Sequence, residues 1–146
     1  MSGKVVAISI STEKGVQKTN VPAARMLEDW GIEGDAHAGK WHRQVSLLAV
    51  ESIDKMRAKG AKVQPGNFAE NITTSGIDIP ALQPGDQIAI AETLLEVTQV
   101  GKECHKHCAI YQQIGDCVMP REGIFARVLT GGEIQVGDTV IIRSGE

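Results

Sequence analysis

The chain has 146 residues, 42% of them hydrophobic and 23% charged, with a formal net charge of −3 at pH 7. That profile fits one soluble globular domain and excludes disordered and fibrous classes, while the acidic balance excludes a nucleic-acid partner, which calls for a basic surface. No stretch reaches membrane-span length and the first residues alternate apolar and polar instead of forming a leader, so a cytoplasmic protein with no membrane partner is expected.

Lys4 to Ser11, rich in β-branched residues, reads as a first strand buried in part on both faces. A polar connection follows from Thr12 to Asn20, and Val21 to Trp30 reads as a short helix or turn with Pro22 at its first position. Three glycines fall between Gly31 and Gly39, so the backbone there bends or approaches something closely. Gln44 to Val50 reads as a buried strand, and Glu51 to Lys59 as an amphipathic helix with Ile53 and Met56 inward and Gly60 closing it. Beyond Gly66 the expected strands are Phe68 to Thr73, Gln87 to Ala91, Leu94 to Val100 and Thr139 to Arg143. Pro84-Gly85-Asp86 and Val136-Gly137-Asp138 are matching turns before two of them. Ala109 to Gln113 and Ile124 to Leu129 read as helical. So many short strands with few helices imply a mainly β fold with short helices (α+β), closed or nearly closed into a barrel, because closure removes exposed edges.

The chemistry concentrates in Gly101 to Cys108, which holds two of the three cysteines and two of the four histidines. Thiols and imidazoles at this density either bind a soft metal or make a thiolate reactive. Lys102 and His105 beside Cys104 lower a thiol pKa by their positive charge. Cys104, Cys108, Cys117 and one histidine also meet the donor count of a zinc site, although not its usual spacing. An odd number of thiols favours chemistry over a disulfide framework. Upstream, Asp35, His37, His42 and Arg43 surround the glycine-rich loop, a composition suited to an anion and equally to a self-bonded turn with a solvated arginine. Asn67, Glu70 and Asn71 read as turn-fixing residues, and Arg121 and Arg127 as surface arginines.

Four pieces stand in order: Gly34-Asp35-Ala36-His37-Ala38-Gly39 with His42-Arg43; Pro65-Gly66-Asn67-Phe68-Ala69-Glu70-Asn71; Gly85-Asp86 before a strand; and the cysteine run followed by Glu122-Gly123-Ile124-Phe125-Ala126-Arg127-Val128 and Val136-Gly137-Asp138. Together they resemble the MOSC domain, the module named for the C-terminal part of molybdenum cofactor sulfurase, over nearly the whole chain. The resemblance implies a single MOSC-type β-barrel over residues 1–146 that binds the molybdenum (or tungsten) pyranopterin cofactor, with no pyridoxal phosphate on this chain. It also implies that a cysteine after the strand Leu94 to Val100 carries persulfide sulfur or ligates the metal. Cys104 follows that strand most closely and is favoured, with Cys108 next, and both are the candidate metal donors.

On this reading the protein is a sulfur carrier, sulfurtransferase-like. Cys104 carries the sulfur, Lys102 and His105 activate it, and Cys108 and Cys117 are further thiols at the site. Asp35, His37, His42, Arg43 and Cys117 meet the cofactor. A cysteine desulfurase is the expected donor, and a molybdoenzyme or cofactor-biosynthesis protein the acceptor. The alternative is a non-catalytic module that holds the cofactor or a metal and hands it to a partner enzyme.

Overall fold

A computed structural model describes residues 2–13, 16–101 and 122–144. Seven strands close into a barrel in the order β11 (Thr139–Arg143), β7 (Gln87–Ile90), β8 (Thr93–Val100), β9 (Ile124–Thr130), β5 (Val45–Ala49), β6 (Ile72–Ser75) and β1 (Ser2–Ile10), with β1 returning to β11. The seam pairs Ser2 with Ile141 and Lys4 with Thr139. Further along the same edge of β1, Ile8 to Ile10 pair with β2 (Thr19–Val21). A smaller sheet of β3 (Ala23–Leu27), β4 (Gly31–Ile32) and β10 (Gly132–Gln135) lies alongside.

Period-2 burial explains the layers. In β5 every residue is buried, because Val45, Leu47 and Ala49 enter the barrel core with Ile8, Ile72, Leu95 and Ile124, whereas Leu48 joins Ile53, Met56, Phe68 and Phe125 in a second cluster beneath α1 (Val50–Ala58). Strands β5 and β6 are parallel, and a parallel pair needs a crossover, which α1 supplies. The helix is the expected one, with Ile53 and Met56 inward and Gly60 bonded back to Arg57 O at 3.0 Å.

The two matching turns are the same device. Asp86 Oδ2 accepts from Gln83 N–H at 3.0 Å and Asp138 Oδ2 accepts from Gln135 N–H at 2.7 Å. Each then docks on a neighbouring strand by a reciprocal pair of backbone bonds, Gly85 and Asp86 on Val97, Gly137 and Asp138 on Val5. The Gly-Asp steps thus belong to the barrel wall.

Three expectations are corrected. Ile124 to Leu129 is strand β9, not helix: Ile124, Ala126 and Val128 face the core, Phe125 faces α1, and the segment pairs with both β8 and β5. Of the helix or turn expected at Val21 to Trp30, the turn is found at Glu28 to Trp30 and the helix is replaced by β3, which pairs with β10 and β4 and buries Met26 while leaving Arg25 exposed. The strand expected at Phe68 begins only at Ile72, because Ala69 takes φ 64° in a tight turn that breaks an extended run. The expected helix at Ala109 to Gln113 lies outside the described residues.

Candidate functional site

Asp35 is taken up inside the protein. Its Oδ1 accepts from Ser11 N–H at 3.0 Å and from Lys18 Nζ at 2.8 Å, and its Oδ2 accepts from His37 N–H at 3.0 Å. Both side chains of the Lys18–Asp35 pair are fully buried, and Lys18 also donates to Ser11 Oγ at 3.0 Å. Burial opposes ionisation of Asp35, but the Lys18 ammonium and the Ser11 and His37 amides outweigh it and hold the carboxyl below its usual range. Asp35 therefore ties the end of β1 to the start of the glycine-rich loop. The close approach expected of that loop occurs at Gly31, where φ is 126° and an added Cβ would lie 2.7 Å from Gln44 O.

The loop carries His42 and Arg43 to the end of the β8–β9 pair. Gln99 Oε1 accepts from Arg43 Nε at 3.1 Å and lies 3.0 Å from His42 Nε2, while Gln99 Nε2 donates to Gly101 O at 2.9 Å. Thr98 Oγ1 donates to His42 O. The Arg43 guanidinium sits over the Phe125 ring, 5.1 Å from its centroid, a stacking that orients the group. Trp41 donates from Nε1 to His37 O at 2.8 Å and meets His42 edge-on. Beside this cluster a cleft of about 550 Å³ is lined by Lys40, Trp41, His42, Glu96, Thr98 and Arg127. Arg127 is the expected surface residue, paired with Glu96 at 2.9 Å.

The strands flanking residues 102–121 meet at this end of the barrel. Gly101 N–H donates to Gly123 O at 2.7 Å, and Glu122 Oε1 accepts from Ser52 Oγ at 2.7 Å and from Lys55 Nζ at 2.9 Å. Lys102, Cys104, His105, Cys108, Cys117 and Arg121 lie outside the described residues. Among the described residues no group of three or more His, Cys, Asp or Glu side chains converges on a metal position.

The Gly66 to Asn71 run is a packing device, as expected of its polar residues. Gly66 adopts φ 97°, and a Cβ there would lie 2.5 Å from Lys18 O. Fully buried Asn71 accepts through Oδ1 from Ser46 N–H at 3.0 Å and Ser46 Oγ at 3.2 Å, and donates to Ser9 O at 3.1 Å. It stitches β1 to β5 at the point where β6 starts between them.

Glu70 is also fully buried. It accepts from Phe68 N–H and Thr73 Oγ1, each at 3.2 Å, and no cation pairs with it among the described residues. Burial pushes its carboxyl above the usual range, despite the backbone and Thr73 donors. The folded state then holds this proton more tightly than the unfolded chain, so stability falls as pH rises from the ordinary carboxylate range through the raised value. Glu70→Gln keeps an acceptor for Phe68 N–H and removes the charge. Thermal melts across about pH 4 to 8 are expected to show the variant gaining on the parent as pH rises; parallel curves would rule out a buried charge here.

Lys18 and Gln99 are the site residues that the sequence did not flag. Each is an ordinary polar residue whose partner is set by the fold: Gln99 is 57 and 56 positions from His42 and Arg43.

The sequence pattern described as the MOSC domain matches residues 34–141. No curated protein matches the chain. Among solved structures, the YuaD protein of Bacillus subtilis superposes with a TM-score of 0.82 at 20% identity, covering 99% of this chain and 97% of that one. YiiM of Geobacillus stearothermophilus gives a TM-score of 0.71 at 20% identity over 96% of this chain and 74% of its own. YiiM of Escherichia coli gives 0.67 at 18% identity over 99% and 70%. At these identities the likeness is one of fold.

Proposed function

Since the chain belongs to the MOSC domain family, we propose that it binds a molybdenum or tungsten pyranopterin cofactor and delivers sulfur to it as a cysteine persulfide. The observation that carries this reading is the position of His42 and Arg43. Gln99 holds both at the barrel end where Gly101 and Gly123 flank the segment that contains the cysteines.

The donor set fits an anionic cofactor. Arg43 presents a planar guanidinium fixed by Gln99 and Phe125, the geometry that suits a phosphate. Lys40 adds an ammonium donor on the adjoining cleft, which His42 also lines. Asp35 acts indirectly, by fixing the loop that carries His37, His42 and Arg43. When bound, the cofactor supplies the metal centre that accepts sulfur. Cys104 is assigned as carrier, with Cys108 and Cys117 as further thiols and Lys102 and His105 lowering the thiol pKa. The sulfur donor is a cysteine desulfurase, and the acceptor a molybdoenzyme or cofactor-biosynthesis protein.

Two measurements test this. Incubation with a cysteine desulfurase and free cysteine should add one sulfur atom to the intact mass, removable by reductant; cofactor binding without any gain would leave a binding module that passes its ligand on. Arg43→Ala should weaken cofactor binding by about 1.5–3 kcal/mol, the range for a hydrogen bond to a charged group, while leaving the fold intact. Unaltered affinity would remove Arg43 from the site.

A further inference from the structure

The hydrogen bonds of Gln99 fix a property of His42 that its position alone does not. Arg43 Nε can only donate and Gly101 O can only accept, so one orientation of the Gln99 amide satisfies both: Oε1 toward Arg43 and Nε2 toward Gly101. The atom 3.0 Å from His42 Nε2 is then an acceptor, and Nε2 must carry a proton. A neutral imidazole has one donor and one acceptor nitrogen. Neutral His42 is therefore the Nε2–H tautomer, with the lone pair on Nδ1, which has no partner among the described residues.

His42 is exposed and lines the cleft of about 550 Å³ beside β8. The charged groups around that cleft are Lys40, Asp29, Glu96 and Arg127, with Arg43 next in sequence. Glu96 is engaged by Arg127, and Asp29 Oδ1 accepts from Gln44 Nε2 at 3.0 Å. Lys40, Arg43 and Arg127 set against Asp29 and Glu96 leave one net positive charge around His42.

We propose that this cleft receives the thiol of a small molecule or peptide and that His42 Nδ1 is its proton acceptor. The S–H bond breaks, an Nδ1–H bond forms, the sulfur keeps the electron pair, and nothing is oxidised or reduced. The choice of thiol follows from acidity. Imidazoles titrate near pH 6.5 and thiols near 8.5, a gap of about two units that the attraction between the thiolate and the imidazolium formed by the transfer can close. Water lies roughly nine units above imidazole, beyond such help. This assignment rests on the sulfur-transfer reading, in which a thiolate must form before it can attack or accept a sulfane.

The test uses the whole chain labelled with ¹⁵N-histidine, at about pH 8 under argon, titrated with N-acetylcysteine and, as a probe of matching shape, N-acetylserine. The free protein should show a pyrrole-type Nε2 and a pyridine-type Nδ1 for His42. N-acetylcysteine should convert the ring to the doubly protonated form and N-acetylserine should not. His42→Gln, which still offers an N–H to Gln99, should bind N-acetylcysteine at least about tenfold more weakly and N-acetylserine unchanged. The opposite tautomer, binding of both probes without protonation of His42, or binding of neither overturns the proposal. Cofactor affinity and persulfide loading, measured on the same preparation, separate the readings: both intact beside a failed thiol response sink only the role of His42.

Discussion

Asn71→Ala is expected to destabilise the folded chain by about 3–5 kcal/mol. The side chain lies at 0% exposure and satisfies backbone groups on two different strands, Ser46 N–H on β5 and Ser9 C=O on β1. Alanine leaves both without this partner, at roughly 1–3 kcal/mol for each buried polar group left unsatisfied. The vacated volume adds to that. Ser46→Ala provides the comparison, because it removes only the hydroxyl bonds and keeps Ser46 N–H on Asn71 Oδ1; about 1 kcal/mol is expected. Urea denaturation measures both. Equal losses for the two variants would mean that Asn71 is not the stitch between β1 and β5.

Lys18→Met is the second large effect, about 3–5 kcal/mol at neutral pH, because it strands the buried Asp35 carboxylate without its cation. The pH dependence identifies the cause. In the parent chain Asp35 is held below its usual range, so its contribution is present above the unfolded-state carboxyl pKa and is lost as pH falls through the lower folded value. Without Lys18, burial of Asp35 is opposed only by the Ser11 and His37 amides, so the carboxyl takes a proton more readily than in the parent and protonation relieves the unpaired charge. The deficit of Lys18→Met should therefore shrink between about pH 7 and pH 4 in denaturant titrations. A deficit independent of pH would point to lost packing of the lysine stem instead.

The barrel was legible where local signals and tertiary demands agree. Strands β5, β7, β8 and β11 alternate or run apolar between turn residues, and the Gly-Asp turns stand where the sequence puts them. Strand β3 reads as helix because Ala23, Ala24, Arg25, Met26 and Leu27 are all good helix formers; pairing with β10 and β4 overrides that preference. In β9, a short apolar run is ambiguous between the two periods, and its partners β8 and β5 decide. The candidate site was legible as residue types around a glycine-rich loop. The roles were not, because Gln99 and Lys18 acquire them only when distant segments meet, and Asp35 turns inward to bind the loop itself.

The seam between β1 and β11 orders events in time. During vectorial synthesis β1 emerges before its partners, and β2, close in sequence, can cover Ile8 to Ile10 almost at once. Ser2 to Lys4 must wait for Thr139 to Ile141, since Lys4 and Thr139 stand 135 positions apart. Closing such a distant pair is slow, and until it closes the start of β1 is an open edge able to template pairing with other nascent chains. Lys4, which in the closed barrel donates to Thr139 Oγ1 at 2.9 Å, places a charge on that edge throughout the wait, so the residue that finishes the seam also guards it beforehand.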